Sequence, residues 1–291
     1  MRKGKAGTAD NQAFVSVVHS MGISPPMLMQ ELGSLFIILF GNKLFMNCKT
    51  CGSALAVEFR FCPNCGETAH PHRLNMQHVL HGFVHGLLHA DKGIFLLVKD
   101  LAKQPGRAAL DYVQGIRKKY FNPVSFLLIT GGLTFFLRHK LAFTAAWGSQ
   151  RLTHYTAEFI HQYTTPIIVL TIPLLSLYSW LLFRSSGKNY AENMVMNMYM
   201  MGEYHLFSII AVVLPAYFFP QLNFFFIGLG FLIMAVYYYC SCIHFFKQSA
   251  GTTLFKVLVA ELLFFLSFGA AMTVSLVLYL IRSGLHIKDL K

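Results

Sequence analysis

Downstream of Asn122 the chain alternates long apolar runs with short polar turns. "PVSFLLITGGLTFFL" (123–137) carries no charge but is short, because a helix crossing the hydrocarbon core needs roughly 20 residues. It would span only with Tyr120, Phe121, Arg138 and Lys140 at its interfaces. "PIIVLTIPLLSLYSWLLF" (166–183) is a better span, since an internal proline such as Pro173 is tolerated in membrane helices. "LFSIIAVVLPAYFFP" (206–220) needs part of the Met-rich segment before it, whereas the runs at 222–246 and 254–281 are long enough to cross with tilt. The pattern predicts an all-α integral membrane protein with four or five transmembrane helices in a bundle over 122–282, followed by a tail at 283–291.

Upstream of Asn122 the spacing is helical but one-sided. In "HVLHGFVHGLLHADKG" (78–93), His78, His81, His85 and His89 fall within roughly 80° of one another at 100° per residue, opposite Val79, Leu80, Phe83, Val84, Leu87 and Leu88. The apolar side would lie on the membrane or against the bundle, with the histidines toward water or headgroups. His81 with His85, and His85 with His89, are spaced to share a metal. Yet Lys92 sits on the same face and no acid there would orient a ring. Pro105 and Gly106 then break the helix, and "RAALDYVQGIRKKY" (107–120) starts a second amphipathic segment. Its Arg117, Lys118 and Lys119 suit anionic headgroups, at about 1 kcal/mol per basic residue near the surface. Residues 73–121 are therefore expected to form basic amphipathic helices at the membrane surface.

Composition changes the picture in two ways. The chain is 55% hydrophobic and 12% charged over 291 residues, against about 25% charged in a soluble domain. Its formal charge of +12 is thus better matched to anionic lipid than to nucleic acid, for which no partner is expected. Basic residues also orient the bundle. Arg73, Lys92, Lys99, Lys103, Arg107, Arg117, Lys118 and Lys119 precede the first run, against only Asp91, Asp100 and Asp111. With Arg184, Lys188 and Lys247 in later loops, they predict a cytoplasmic N-terminus in a bacterial inner membrane, although Arg138, Lys140 and Arg151 would then face outside.

The strongest chemical signal is "CKTCGSALAVEFRFCPNCG". Cys48 and Cys51 form one C-x-x-C pair and Cys62 and Cys65 another, so two tight turns can bring four thiolates to one tetrahedral zinc. Gly52 and Gly66 follow each pair where the chain must turn back and aim its amides at sulfur. This predicts a structural zinc ribbon at 46–70 with no open coordination position. Disulfides, the alternative, would not survive in a cytoplasmic segment. Residues 1–45 read as an extension, disordered or foreign to the native product, with organisation starting at Met46. Cys240 and Cys242 sit in an aromatic run and read as small hydrophobes.

The ribbon, "HADKG", "KQPGRAALDYVQGIRKKYFNPVSFLL" and the later "SGKNYAENMV" together resemble the bacterial domain-of-unknown-function 3667 family. The resemblance runs from about Met46 to about Met200. It implies a zinc ribbon joined to a multi-pass membrane region and brings no biochemical activity. Its most specific residues are Pro105, Gly106, Tyr112, Gly115, Arg117, Tyr120, Pro123, Tyr190 and Glu192. Where the family commonly has a histidine after that glutamate this chain has Asn193, which weakens any Glu-His pairing.

Within the bilayer, Glu261 should be protonated, paired or near an interface, and Glu192 and Glu203 flank "NMVMNMYMMG", a stretch too polar to face lipid throughout. Three functions remain open. A non-enzymatic scaffold or sensor would dock a protein partner on the ribbon. A transporter or channel would use Glu192, Glu203 or Glu261, and a membrane-embedded enzyme the histidine stripe. The sequence holds no nucleophile elbow, phosphate loop or open metal triad, so catalysis ranks last.

Overall fold

The computed structural model describes residues 45–77, 79, 93–141 and 151–282. The histidine stripe at His78, His81, His85 and His89, the extension before Phe45 and the C-terminal tail lie outside them. The chain divides into two units, Met1–His70 and Pro71–Lys291.

In the first unit, β1 (Phe45–Asn47) pairs antiparallel with β2 (Ala54–Ala56), Met46 opposite Leu55. An isolated antiparallel bridge joins Phe61 to Thr68. Each of these two arms opens into a tight turn that holds a cysteine pair. Among the described residues of this unit, the buried hydrophobic core is Leu55, Ala69 and two of those cysteines, Cys48 and Cys62.

The second unit is helical. Its elements are α1 (Gly93–Lys103), α2 (Arg107–Val113), α3 (Pro123–Lys140), α4 (Arg151–Leu182), α5 (Tyr190–Ser208), α6 (Leu214–Phe218), α7 (Asn223–Phe246) and α8 (Ala250–Arg282). Ile209–Val213 is a π-helical turn that joins α5 to α6 without a break, one turn ahead of the N–H that Pro215 cannot donate. Among the described residues, four stretches are long and apolar enough to cross a membrane: Gln162–Leu182, Tyr190–Phe218, Pro220–Phe246 and Ala250–Arg282. The run at 123–137 forms α3 but stays outside that set, its basic end Arg138–Lys140 lowering an already short apolar stretch.

Local sequence sets the helix starts. The Asn122 side chain accepts from the amides of Val124 and Ser125, and Pro123 occupies the first turn where no amide is needed. At α5, Asn189 Oδ1 accepts from Glu192 N while Glu192 Oε2 accepts from Asn189 N, a reciprocal capping box. Lys247, in the left-handed region at φ 55°, closes α7 and lets the chain reverse into α8.

The spans pack α8 along α4, α4 on α5, and α7 against α5 and α8, with α3 lying along α5. Gly202 permits that last approach, because a side chain there would start 2.6 Å from the Phe126 ring. The Met-rich run is core filling: Met194, Met196, Met200 and Met201 are all buried.

Helices α1 and α2 turn their apolar sides inward. Leu97 and Leu101 of α1 are buried, and α2 buries Ala108, Ala109, Leu110 and Val113, so both pack into the bundle against α5, and α2 also against α7. Phe95 remains 82% exposed on the opposite side of α1.

Candidate metal centre and the polar groups of the bundle

The two cysteine turns repeat one geometry. In the first, Cys48 N donates to Ser53 O and Gly52 N to Cys48 O; in the second, Cys62 N donates to Glu67 O and Gly66 N to Cys62 O. Gly52 and Gly66 sit at φ 76° and 69°, the left-handed conformation that lets each turn fold back over its sulfurs. The four Sγ atoms lie within 4.8 Å of one another, with Cys48–Cys65 and Cys51–Cys62 separations of 3.6 Å. A tetrahedral ion with metal–sulfur bonds of about 2.3 Å requires sulfur–sulfur edges of about 3.8 Å, so the set already has the dimensions of a four-thiolate site.

The surroundings supply the polarity such a site needs. Ser53 Oγ lies 3.1 Å from Cys51 Sγ, and it with the Ser53 amide holds Cys51 down to about 6. At Cys65 the Glu67 amide pulls downward, but burial and the three neighbouring sulfurs push the thiol up to about 12. Four adjacent thiolates therefore need a cation to ionise together, which a bound metal provides. Thr50 Oγ1 donates to Glu67 Oε2 and Asn64 Nδ2 to Ser53 Oγ, cross-linking the turns outside the sulfurs.

In the helical unit Glu192 is fully engaged. Arg73 Nε donates to Oε1 at 3.0 Å and Nη2 to Oε2 at 3.1 Å, and the same Nη2 donates to Gly187 O. The carboxylate holds the Arg73 guanidinium above its usual range, chiefly through the hydrogen bond. Asn189 Nδ2 adds a bond to Leu74 O, so Glu192 and Asn189 fasten residues 73–74 to the start of α5. Both carboxylate oxygens of Glu192 are engaged by these bonds and the Asn189 amide.

The basic cluster is likewise tied into the protein. Arg117 Nη2 donates to His72 O. Lys119 Nζ donates to Asp100 Oδ2 at 3.0 Å and Tyr120 OH at 2.8 Å. Burial draws Lys119 down, but the Tyr120 and Asp100 contacts outweigh it and raise the ammonium. The Tyr120 hydroxyl faces Asp100 and Asp111, and burial pushes it up to about 12. Tyr112 meets Tyr199 edge-on, and Tyr199 donates to Phe121 O. The aromatic positions of the sequence motif thus join α1, α2 and the 116–121 segment to α5.

Sequence reasoning missed a buried polar seam between α4 and α5. Ser179 donates to Asn193 Oδ1, and Asn197 Nδ2 to Ser176 and Ser179 Oγ. Its signal was present as polar residues three and four apart inside apolar runs. On the neighbouring spans, Tyr238 and Cys242 of α7 and Glu261 of α8 are buried. Glu261 Oε1 and both carboxylate oxygens of Glu203 are buried with no hydrogen-bond partner among the described residues.

No curated protein and no solved structure matches the chain. Residues 91–135, which include α1, α2 and the first three turns of α3, match the family described as Protein of unknown function (DUF3667), the family that the Pro105–Gly106 and Tyr112-to-Pro123 motifs resemble.

Proposed function

We propose that the protein is a non-enzymatic scaffold or sensor of a bacterial inner membrane, whose cytoplasmic ribbon holds one zinc ion and docks a protein partner. The observation that carries this reading is a closed donor set beside an exposed apolar strip. Cys48, Cys51, Cys62 and Cys65 would complete a tetrahedral zinc and leave no position for water or substrate. Between the two turns, Val57, Phe59 and Phe61 are 44%, 45% and 62% exposed, alternating with Glu58 and Arg60. Aromatic side chains held out by a rigid, metal-stapled turn have the character of interface anchors.

The cytoplasmic assignment rests on charge. Arg184, Lys188, Lys247 and Lys256 gather at the α4–α5 and α7–α8 turns, where Arg184 lies over the Trp180 ring and Lys188 over Phe245. Such a basic and aromatic belt suits anionic headgroups on the inner leaflet.

The test is co-purification in mild detergent of the intact protein, of a deletion of residues 46–70, and of Phe59→Ser with Phe61→Ser. Anchors of this kind contribute about 2 kcal/mol or more each, roughly thirtyfold in affinity. The double variant should keep its zinc and its membrane insertion while losing the partner that the deletion also loses. An unchanged set of co-purifying proteins in the deletion would overturn the reading.

Glu203 supports a second reading, as a transporter or channel. Its side chain lies inside Tyr190–Phe218, is 1% exposed, and has neither oxygen paired among the described residues. An unpaired charge there costs several kcal/mol, and carboxylates in such positions commonly mark proton or ion pathways. With Glu261 it would form the polar route. Proteoliposomes should then dissipate a pH gradient faster than empty vesicles, and Glu203→Gln or Glu261→Gln should remove that excess; equal leak with and without wild-type protein would eliminate transport of protons.

A further inference from the structure

A groove of about 410 Å³ opens between α3 and α4, within the usual range of ligand pockets. Leu127, Gly131, Gly132 and Phe135 form its α3 side, and Pro166 and Val169 its α4 side. The α4 wall lies inside the apolar stretch Gln162–Leu182, so the groove is level with a membrane span. Two successive glycines create the space. Nothing lies within 4 Å of where a Gly132 side chain would begin, and Gly131 gives onto the His205 ring at 3.6 Å. Leu128 and Leu170, on its rim, are 37% and 75% exposed.

Charge stands at one end of this apolar trough. The stripe Leu128, Gly131, Phe135 continues at helical spacing to Arg138, one turn beyond the wall. Arg138 takes part in none of the ion pairs among the described residues, and its Nε is buried with no hydrogen-bond partner among them. His139 stacks on Phe135 with ring centroids 6.4 Å apart, directly over the groove wall, and Lys140 lies over the Phe136 ring. A guanidinium in search of an anion, one helical turn from an apolar slot at membrane depth, matches an amphiphile with a negative head.

We propose that the groove holds one acyl chain of an anionic phospholipid whose phosphate is bound by Arg138. Guanidinium and phosphate pair through two parallel N–H donors, while the glycines leave room for a chain that a branched side chain such as leucine would displace. The site is independent of the ribbon and of either reading of overall function. It requires only that the bundle sit in a bilayer.

The experiment is native mass spectrometry of the full-length protein in mild detergent, with phosphatidylglycerol or phosphatidylcholine added as the probe. Wild-type protein should retain one phosphatidylglycerol, favoured over phosphatidylcholine by about fivefold, the effect of one basic contact at a membrane surface. Gly132→Leu, which fills the slot, should lower retention of both lipids by about tenfold or more. Arg138→Gln should abolish the preference and leave chain binding in place. Gly132→Ala, smaller and compatible with the open space, should behave as wild type and shows that loss in the leucine variant is not loss of fold. No preference in wild type, a preference that survives Arg138→Gln, or unchanged retention in Gly132→Leu would each overturn the proposal.

Discussion

Replacing Cys62 and Cys65 together with serine should remove the bound metal, from about one zinc per chain to none, and unfold the ribbon while the helical unit stays inserted. Among the described residues of this unit the buried hydrophobic core is Leu55, Ala69, Cys48 and Cys62, too little to hold two turns together unaided. Structural zinc in small domains contributes about 10–16 kcal/mol, nearly all of it folding free energy. Two serines halve the thiolate set and leave Cys48 and Cys51 without the sulfurs now 3.6 Å away. Elemental analysis of purified protein measures the first effect, and limited proteolysis between Phe45 and His70 the second. Cys240→Ser, on α7 far along the chain from either turn, should change neither. Equal zinc in the Cys62/Cys65 double variant would place the metal elsewhere, and the His78, His81, His85 and His89 stripe would be the next donor set to replace.

The ribbon was legible in the sequence because metal geometry is encoded locally. Two C-x-x-C pairs and the glycines after them fix both turns, and the structure adds only their mutual distance. Helices long enough to cross were equally legible at α4, α7 and α8, where apolar length decides the matter. What the sequence hid was partnership. Glu192 read as a candidate polar-pathway group because its neighbours in the chain are methionines and asparagines. Its actual partner, Arg73, is remote in sequence and reaches it only after residues 73–74 fold back on α5. The packing partners of 107–120 were hidden for a related reason. Alanines at 108 and 109 are neutral in a hydrophobicity pattern, and their small size, which lets α2 sink between α5 and α7, is a packing property.

That seating makes Gly106→Ala the most damaging single substitution to expect in the helical unit. Gly106 precedes α2 at φ 78°, where a side chain costs about 1–2 kcal/mol by itself. A Cβ there would also run into the Ser241 carbonyl oxygen and lie within 3.0 Å of the Ser241 carbonyl carbon and Cα. Those atoms belong to the backbone of α7, so no rotamer change relieves the overlap. Either α2 lifts away from α7, unseating Ala108, Ala109 and Leu110, or the α7 backbone moves. Gly187 supplies the internal comparison, having φ 70° but nothing within 4 Å of a built Cβ. Gly187→Ala should therefore show the conformational cost alone, about 1 kcal/mol, and Gly106→Ala about 3 kcal/mol or more. Thermal unfolding of both variants in one detergent measures the difference. If the two midpoints fall equally, α2 yields freely at this point and its contact with α7 is not what orders residues 93–121; if only Gly106→Ala collapses, the Pro105–Gly106 motif is a docking joint set by the α7 backbone.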